Sequence, residues 1–196
     1  YANTVIEGVM EARADVTTDS REQLLAEAYC LRAFVHFDLI NLYAKWYDPA
    51  TAATDKAVPL SLKIDIGQSF IPTTVEKVYE QVFADLQEAE KYMQVEQQTG
   101  AYLYRFSKKA LKAFQARVYL YHQDWKQAQE TAESLLAACP LEDLTTTEAQ
   151  PWTYTSKEAI LALETVSSTV MKEDMYVLDN ISGKFNQIKE GDEYVD

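Results

Sequence analysis

The chain has 196 residues, 47% of them apolar and 25% charged, which is typical of a folded globular protein whose core needs no disulfide or metal. Its 31 acidic and 18 basic residues give a net charge of −13, so nucleic acid and anionic membrane surfaces are poor partners. Only five Gly and five Pro interrupt a sequence rich in helix formers, which predicts a mostly α fold.

Apolar residues at helical spacing predict two helices near the start of the chain. A short helix is expected over residues 3–16 and a longer one over 21–47. The longer helix is apolar over so wide a face that it should be covered on more than one side. Its main stripe, widened by four further residues, consists of Leu24, Ala28, Leu31, Val35, Leu39 and Leu42, with Tyr29, Phe34, Phe37 and Ile40.

Residues 48–72 contain three prolines and no periodicity, which predicts a long loop of the kind that is usually functional or disordered. After this loop, Thr73 and Glu76 form a capping box at the start of a helix that extends to Tyr92. This helix carries one clean apolar stripe, made of Val75, Val78, Val82, Leu86, Ala89 and Met93.

Two further helices are predicted after a polar stretch. Ser107 is expected to cap the first and Asp124 the second, which ends before Pro140. Because the turn over residues 122–124 is short, the two helices should lie antiparallel. Their apolar positions match the spacing of a tetratricopeptide repeat at Ala116, Tyr119, Trp125, Ala128, Ala132, Leu135 and Pro140.

The predicted fold is therefore mostly α, with antiparallel helical hairpins of tetratricopeptide-like type. Residues 21–47 and 73–92 form a second hairpin, interrupted by the long inserted loop. Beyond Pro140 the sequence predicts a Thr-rich loop, an apolar run over 158–166 that is either strand or helix, and a short irregular or β tail. Cys30 and Cys139 are expected to be free.

Three blocks of sequence resemble the SusD/RagB family of Bacteroidetes nutrient-binding lipoproteins. They are residues 26–46 (AEAYCLRAFVHFDLINLYAKW, followed by AVPL), residues 73–93 (TTVEKVYEQVFADLQEAEKYM) and residues 104–136 (YRFSKKALKAFQARVYLYHQDWKQAQETAESLL). The resemblance covers about residues 1–166, which we predict to be the SusD-like helical domain. Residues 167–196 are then expected to begin an irregular, truncated C-terminal region.

The resemblance implies a non-catalytic protein on the outer-membrane surface that passes oligosaccharides or other nutrients to a SusC-like TonB-dependent transporter. Membrane contact is expected only through an N-terminal lipid anchor that this chain lacks. A different function remains open from the residues alone: a helical-repeat adaptor that binds a peptide or protein in its groove.

A sugar site needs flat aromatic rings and a few polar groups, and two segments have that composition. Trp46, Tyr47 and Asp48 lie at the exit of the long helix, where the loop begins, and Trp152 and Tyr154 lie in the loop after Pro140. The alternative is that these aromatic residues simply cover the ends of the helices.

Other polar residues favour a structural role. Arg32 and His36, with Asp38 and Asn41 nearby, are expected to form a buried network, and Arg117 is also expected to be structural. Acid pairs on exposed helix faces, such as Asp85 with Glu88, provide no catalytic cleft. The two histidines are far apart, so a metal site is not expected. The sequence also has no Gly-x-Ser-x-Gly motif, no P-loop and no Gly-rich dinucleotide turn, so neither a cofactor nor an enzyme is expected.

Overall fold

The computed structural model describes residues 1–13, 20–65, 67, 69–139, 141, 143, 145, 156, 158–163, 176–178 and 185–187. The chain divides into two compact units, Tyr1–Ala162 and Leu163–Asp196. In the second unit, β1 (Tyr176–Leu178) pairs antiparallel with β2 (Phe185–Gln187). Among the residues described in the first unit, the structure is helical, which confirms the predicted fold class.

The first unit contains five α-helices and one 3₁₀ turn in its described residues. They are α1 (Ala2–Gly8), α2 (Arg21–Tyr43), α3 (Val75–Tyr92), the turn Gly100–Tyr102, α4 (Lys108–Tyr121) and α5 (Trp125–Ala138). The side chains of Ser107 and Asp124 cap α4 and α5 as predicted, by accepting from the backbone N–H three residues on. The described part of residues 48–72 lacks helix and strand, as expected for the long loop.

Three helix boundaries differ from the prediction. The first helix ends at Gly8 rather than residue 16, and α2 ends at Tyr43 because Ala44 is extended, with φ −117° and ψ 173°. The cap of α3 is Thr74 rather than Thr73. Thr73 is instead held extended by backbone hydrogen bonds to Ala57 and Val58 of the long loop.

The helices form two antiparallel hairpins, as predicted. In the first hairpin, Gln23 near the start of α2 contacts Val95 just after the end of α3. Phe37 in the second half of α2 contacts Tyr79 near the start of α3. In the second, Lys109 of α4 donates to the Ala138 carbonyl, and Lys112 donates to Ser134. This order of contacts is the antiparallel arrangement of a tetratricopeptide-like pair.

Aromatic rings join the two hairpins. The ring centroids of Phe37 and Phe114 lie 5.5 Å apart, and Phe83 of α3 stacks on Tyr119 of α4 at 5.2 Å. Offset and edge-to-face pairs at such distances add to the stabilisation that area burial provides. Helix α4 therefore packs against both α2 and α3.

The core stripe of α3 is confirmed, because all six of its predicted residues are buried. For α2 the prediction is confirmed at Ala28, Phe37 and Ile40, which are buried, and wrong at Leu31, Val35 and Leu42, which are substantially exposed. The buried stripe also contains Ala26, Cys30 and Ala33, which the prediction did not name. Small residues on the buried stripe let two helices approach closely, and the larger aliphatic residues are left facing outward.

A buried ion pair connects α2 to α3. The guanidinium of Arg32 donates to both carboxylate oxygens of Asp85 at 2.6 and 2.9 Å, and the two side chains are only 11% and 2% exposed. Arg32 also donates to the Asn3 side chain at 3.1 Å and to the Leu62 carbonyl at 3.3 Å. One side chain thus joins two helices of the first hairpin to α1 and the long loop.

This pair corrects several expectations about polar residues. Asp85 is buried, not part of an exposed acidic face, because it receives Arg32. Asp38 and Asn41 are exposed, since α2 turns them away from α3, and Asn41 donates to the Phe37 carbonyl. Arg117 is also exposed on α4 rather than part of a buried structural network.

Gln23 forms a second polar connection, between α2 and the segment that joins α3 to α4. Its buried amide oxygen accepts from the backbone N–H of Gln94 and Val95 at 2.9 and 3.0 Å, and its amide nitrogen donates to the Phe106 carbonyl at 3.2 Å. Backbone groups that lie outside any helix are thereby satisfied.

We predict that Asp85→Asn lowers the free energy of unfolding by about 3 kcal/mol, because it leaves the buried Arg32 guanidinium without a counter-charge. Urea denaturation measures this change. Glu88→Gln, which removes an exposed ion pair with Lys91 on the same helix, serves as the control and should leave the urea midpoint almost unchanged. Equal losses in the two variants would contradict the assigned role of the buried pair.

Candidate functional site

Trp46 is presented by an extended segment that follows α2. Its side chain is 88% exposed, the highest value among the tryptophans of the described residues. The preceding Lys45 forms an ion pair with Asp55 of the long loop, and the Ala44 N–H donates to the Ile40 carbonyl at 3.0 Å, which ties the start of this segment to the end of α2. An indole held outward in this way offers a flat apolar face to a ligand.

Tyr47 has the opposite environment, because its ring belongs to an aromatic cluster that we define as Tyr47, Tyr79, Phe83 and His122. The centroid of Tyr47 lies 4.0 Å from that of His122 and 5.2 Å from that of Tyr79. Its carbonyl accepts from the side chain of Gln123 at 2.6 Å. Burial raises the pKa of Tyr47, with Glu76 and Glu80 contributing to the same direction.

The turn between α4 and α5 completes this cluster. Gln123 has a φ of 65°, a left-handed conformation that non-glycine residues seldom adopt. The Asp124 backbone N–H donates to the Tyr119 carbonyl, and the turn places His122 against Phe83 at 5.0 Å. The inter-helix turn thus holds Tyr47 in position, and with it the backbone that carries Trp46.

Asp48 begins a tight turn in the long loop. One of its carboxylate oxygens accepts from the Ala50 N–H at 2.9 Å, and its carbonyl accepts from Ala52 at 2.7 Å. Backbone bonds from Glu76 to the Ala52 carbonyl and from Val75 to the Asp55 carbonyl then attach this turn to the start of α3. The first part of the loop is therefore an ordered structure.

The three predicted residues after α2 are adjacent in the chain but lie in different environments. Trp46 is free to meet a ligand, Tyr47 packs inward and Asp48 stabilises a turn. Trp152 and Tyr154, the other predicted pair, lie outside the described residues. The aromatic cluster behind Trp46 could not be inferred from the sequence, because His122 lies 75 positions away from Tyr47.

A groove lies along the exposed apolar residues of α2. This α2 groove encloses about 670 Å³ and is lined mainly by Tyr1, Leu31, Val35, Leu39, Tyr43 and Phe70. At its wall, the Nε2 atom of buried His36 accepts from the Ser61 N–H at 3.4 Å, and burial lowers the pKa of His36. In the sequence, this groove is indicated only by the main apolar stripe of the long helix, which we interpret above as buried.

The described residues also bear on other kinds of site. Among them, His, Cys, Asp and Glu side chains do not assemble into any group of three or more suited to a metal ion. None of the helices in the same ranges combines the length and the apolar character needed to cross a membrane.

Comparison with known proteins identifies relatives of one kind. Residues 1–120 match the SusD-like family described as starch-binding and associating with the outer membrane. SusD-like protein P38 of Formosa agariphila is 32% identical over 120 residues, which are 59% of this chain and 21% of that protein. The chain thus spans about a fifth of the length of this curated relative.

Solved structures share the fold over most of the chain. A SusD superfamily protein from Bacteroides fragilis has 26% identity and a TM-score of 0.64, over 82% of this chain and 37% of its own. A SusD superfamily protein from Bacteroides thetaiotaomicron has 22% identity and a TM-score of 0.63, over 72% of this chain and 31% of its own. A laminarin-binding SusD-like protein has 23% identity and a TM-score of 0.57, over 73% of this chain and 28% of its own.

We predict that the aromatic cluster makes stability depend on pH. Burial lowers the pKa of His122 below its ordinary value of 6.5, although the nearby Asp124 carboxylate acts in the opposite direction. The unfolded chain therefore takes up a proton at a higher pH than the folded one, and stability present above the unfolded pKa is lost as the pH falls.

The free energy of unfolding, measured with urea, should fall between about pH 7.5 and pH 5.5, and His122→Gln should reduce this fall. His36 shifts in the same direction, so part of the dependence should remain. An unchanged pH dependence in His122→Gln would show that the ring of His122 is not held neutral by its surroundings.

Proposed function

The chain belongs to the SusD-like family, described as starch-binding and associating with the outer membrane, and from this premise we propose that it is part of a cell-surface glycan-capture protein. In this proposal the protein binds oligosaccharides without chemical conversion. It then delivers them to a SusC-like TonB-dependent transporter at the outer membrane. The helical unit serves as the rigid part that presents the binding segments.

The observation that carries the proposal is the environment of Trp46. Trp46 is 88% exposed, while the following Tyr47 is held by the aromatic cluster and the preceding Ala44 is bonded to the end of α2. Because this backbone is ordered before binding, less conformational freedom is lost and more of the stacking energy with a sugar appears as affinity. Asp48 still has one carboxylate oxygen that can accept from a sugar hydroxyl.

Glucans are the substrate class that the relatives favour. The family is described as starch-binding, and one structural neighbour is a laminarin-binding protein. The flat apolar face of a glucose unit suits an indole ring. Since the chain spans only 21% to 37% of the relatives compared above, other segments of a longer protein would complete the site. Trp152 and Tyr154 are our candidates for a second contact.

The alternative is an adaptor that binds a peptide along the helical surface. A smaller groove between α4 and α5, lined by Leu120, Trp125 and Ala128 among others, has the shape for this role. The two functions differ in the aromatic residue that they need. Glycan capture uses Trp46 on an irregular segment, whereas the adaptor would use Trp125, which is 61% exposed at the start of α5.

We predict that Trp46→Ala weakens binding of laminarin oligosaccharides or malto-oligosaccharides about tenfold or more, because loss of an aromatic contact costs on the order of 1–3 kcal/mol. Isothermal titration calorimetry measures this, first with the full-length parent protein and then with the present chain. Trp125→Ala is the matched control, since it removes another exposed tryptophan, and it should bind glycan normally.

Two results would overturn the proposal. One is that the parent protein binds neither class of glucan. The other is that Trp125→Ala loses as much affinity as Trp46→Ala, which would place recognition on the helical surface. Circular dichroism of both variants establishes that the helices are retained.

A further inference from the structure

Gln123 follows α4 in a backbone conformation that suits few residues. Its N–H donates to the Leu120 carbonyl at 3.2 Å, and the Asp124 N–H donates to the Tyr119 carbonyl at 3.0 Å. These two bonds are those of a Schellman motif, in which the left-handed residue is usually glycine. Gln123 has a φ of 65°, and among the described residues no other non-glycine residue has a positive φ. Its Cβ therefore strains the turn.

The side chain of Gln123 makes a contact that glycine could not make. Its Nε2 atom donates to the Tyr47 carbonyl at 2.6 Å, across 76 positions of sequence. That carbonyl belongs to the peptide group between Tyr47 and Asp48, which directly follows Trp46. Asparagine, which also tolerates a positive φ, is one methylene shorter and would not reach as far. A strained residue whose side chain holds a distant segment indicates a role at that segment.

We propose that Gln123 is a positioning residue for glycan binding. Its side-chain amide fixes the Tyr47–Asp48 peptide group in the orientation in which Trp46 and Asp48 can contact a sugar. Gln123 itself need not touch the ligand. This inference rests on the proposed function, because Trp46 is the sugar contact that the amide serves.

The other contacts of this segment leave the peptide group to the amide. The ring of Tyr47 is held by the ring of His122, with the centroids 4.0 Å apart, but ring packing does not by itself fix the direction of the Tyr47 carbonyl. On the other side, Asp48 accepts from the N–H groups of Ala50 and Ala52 through its carboxylate and its own carbonyl. The peptide group lies between these two attachments, and the Gln123 amide bonds to it directly.

Gln123→Glu tests the amide with little change of shape. The carboxylate has the size of the amide, but it cannot donate and it repels the Tyr47 carbonyl oxygen. In the titrations described for Trp46→Ala, we expect it to weaken glucan binding about threefold or more, a modest loss because the bond is exposed to water. Gln127→Glu is the matched control. It makes the same charge change on an exposed glutamine that donates to Glu130 instead, and it should bind normally.

Gln123→Gly separates positioning from folding. Glycine relieves the strain of the turn but removes the amide, so the melting temperature should stay within about 3 °C of that of the unaltered chain. Glucan affinity should nevertheless fall as it does in Gln123→Glu. If Gln123 served only the turn, the glycine variant would bind normally.

Backbone ¹⁵N relaxation gives a readout that needs no ligand. The order parameters of Tyr47 and Asp48 should lie near the rigid value of about 0.85 in the unaltered chain and fall by about 0.1 or more in both Gln123 variants. The order parameters should not change in Gln127→Glu.

The outcomes distinguish this role from the function on which it rests. Normal glucan affinity in both Gln123 variants, or unchanged order parameters at Tyr47 and Asp48, would refute the positioning role and leave the proposed function standing. An unaltered protein that binds neither class of glucan would refute the proposed function and this role together.

Discussion

The rest of the structure depends on the fixed register between α2 and α3. Burial of apolar surface alone would allow helices with small residues at their contact to slide along each other. The Arg32–Asp85 pair restricts this motion, since a bidentate pair 11% and 2% exposed cannot separate without leaving a buried charge. Gln23 adds a second fixed point by bonding to backbone groups after α3. With the hairpin fixed, its aromatic residues meet α4 in one arrangement.

The irregular segment between α2 and α3 is attached to this platform at several points. The segment after α2 is held by Tyr47 in the aromatic cluster, and the turn after Asp48 is bonded to the start of α3. Further along, the Leu62 carbonyl accepts from Arg32. The backbone that carries the exposed Trp46 is therefore attached to the helices. In the function that we propose, this attachment is the physical link between the helical hairpins and glycan binding.

Local patterns predicted the helices well because capping residues and apolar spacing act within one helix. The sequence therefore located α3, α4 and α5 and two of their caps. It extended the long helix to residue 47, however, and so placed Trp46 in the last helical turn, whereas α2 ends at Tyr43. It failed where the answer depends on distant residues. Helix α2 carries two apolar stripes, and which of them is buried depends on where the partner helix packs. Likewise, the partners of Arg32 and Tyr47 lie 53 and 75 positions away.

The central claim is that the two hairpins and their attached segments form one cooperative body. Native-state hydrogen exchange in low concentrations of urea tests it most directly. The account predicts that the slowest amides of α2, α3 and α4 share one opening free energy, and that those of residues 52–57 at the start of the loop are protected with them. Exchange of α4 and α5 through a separate, lower-energy opening, with α2 and α3 still protected, would contradict it.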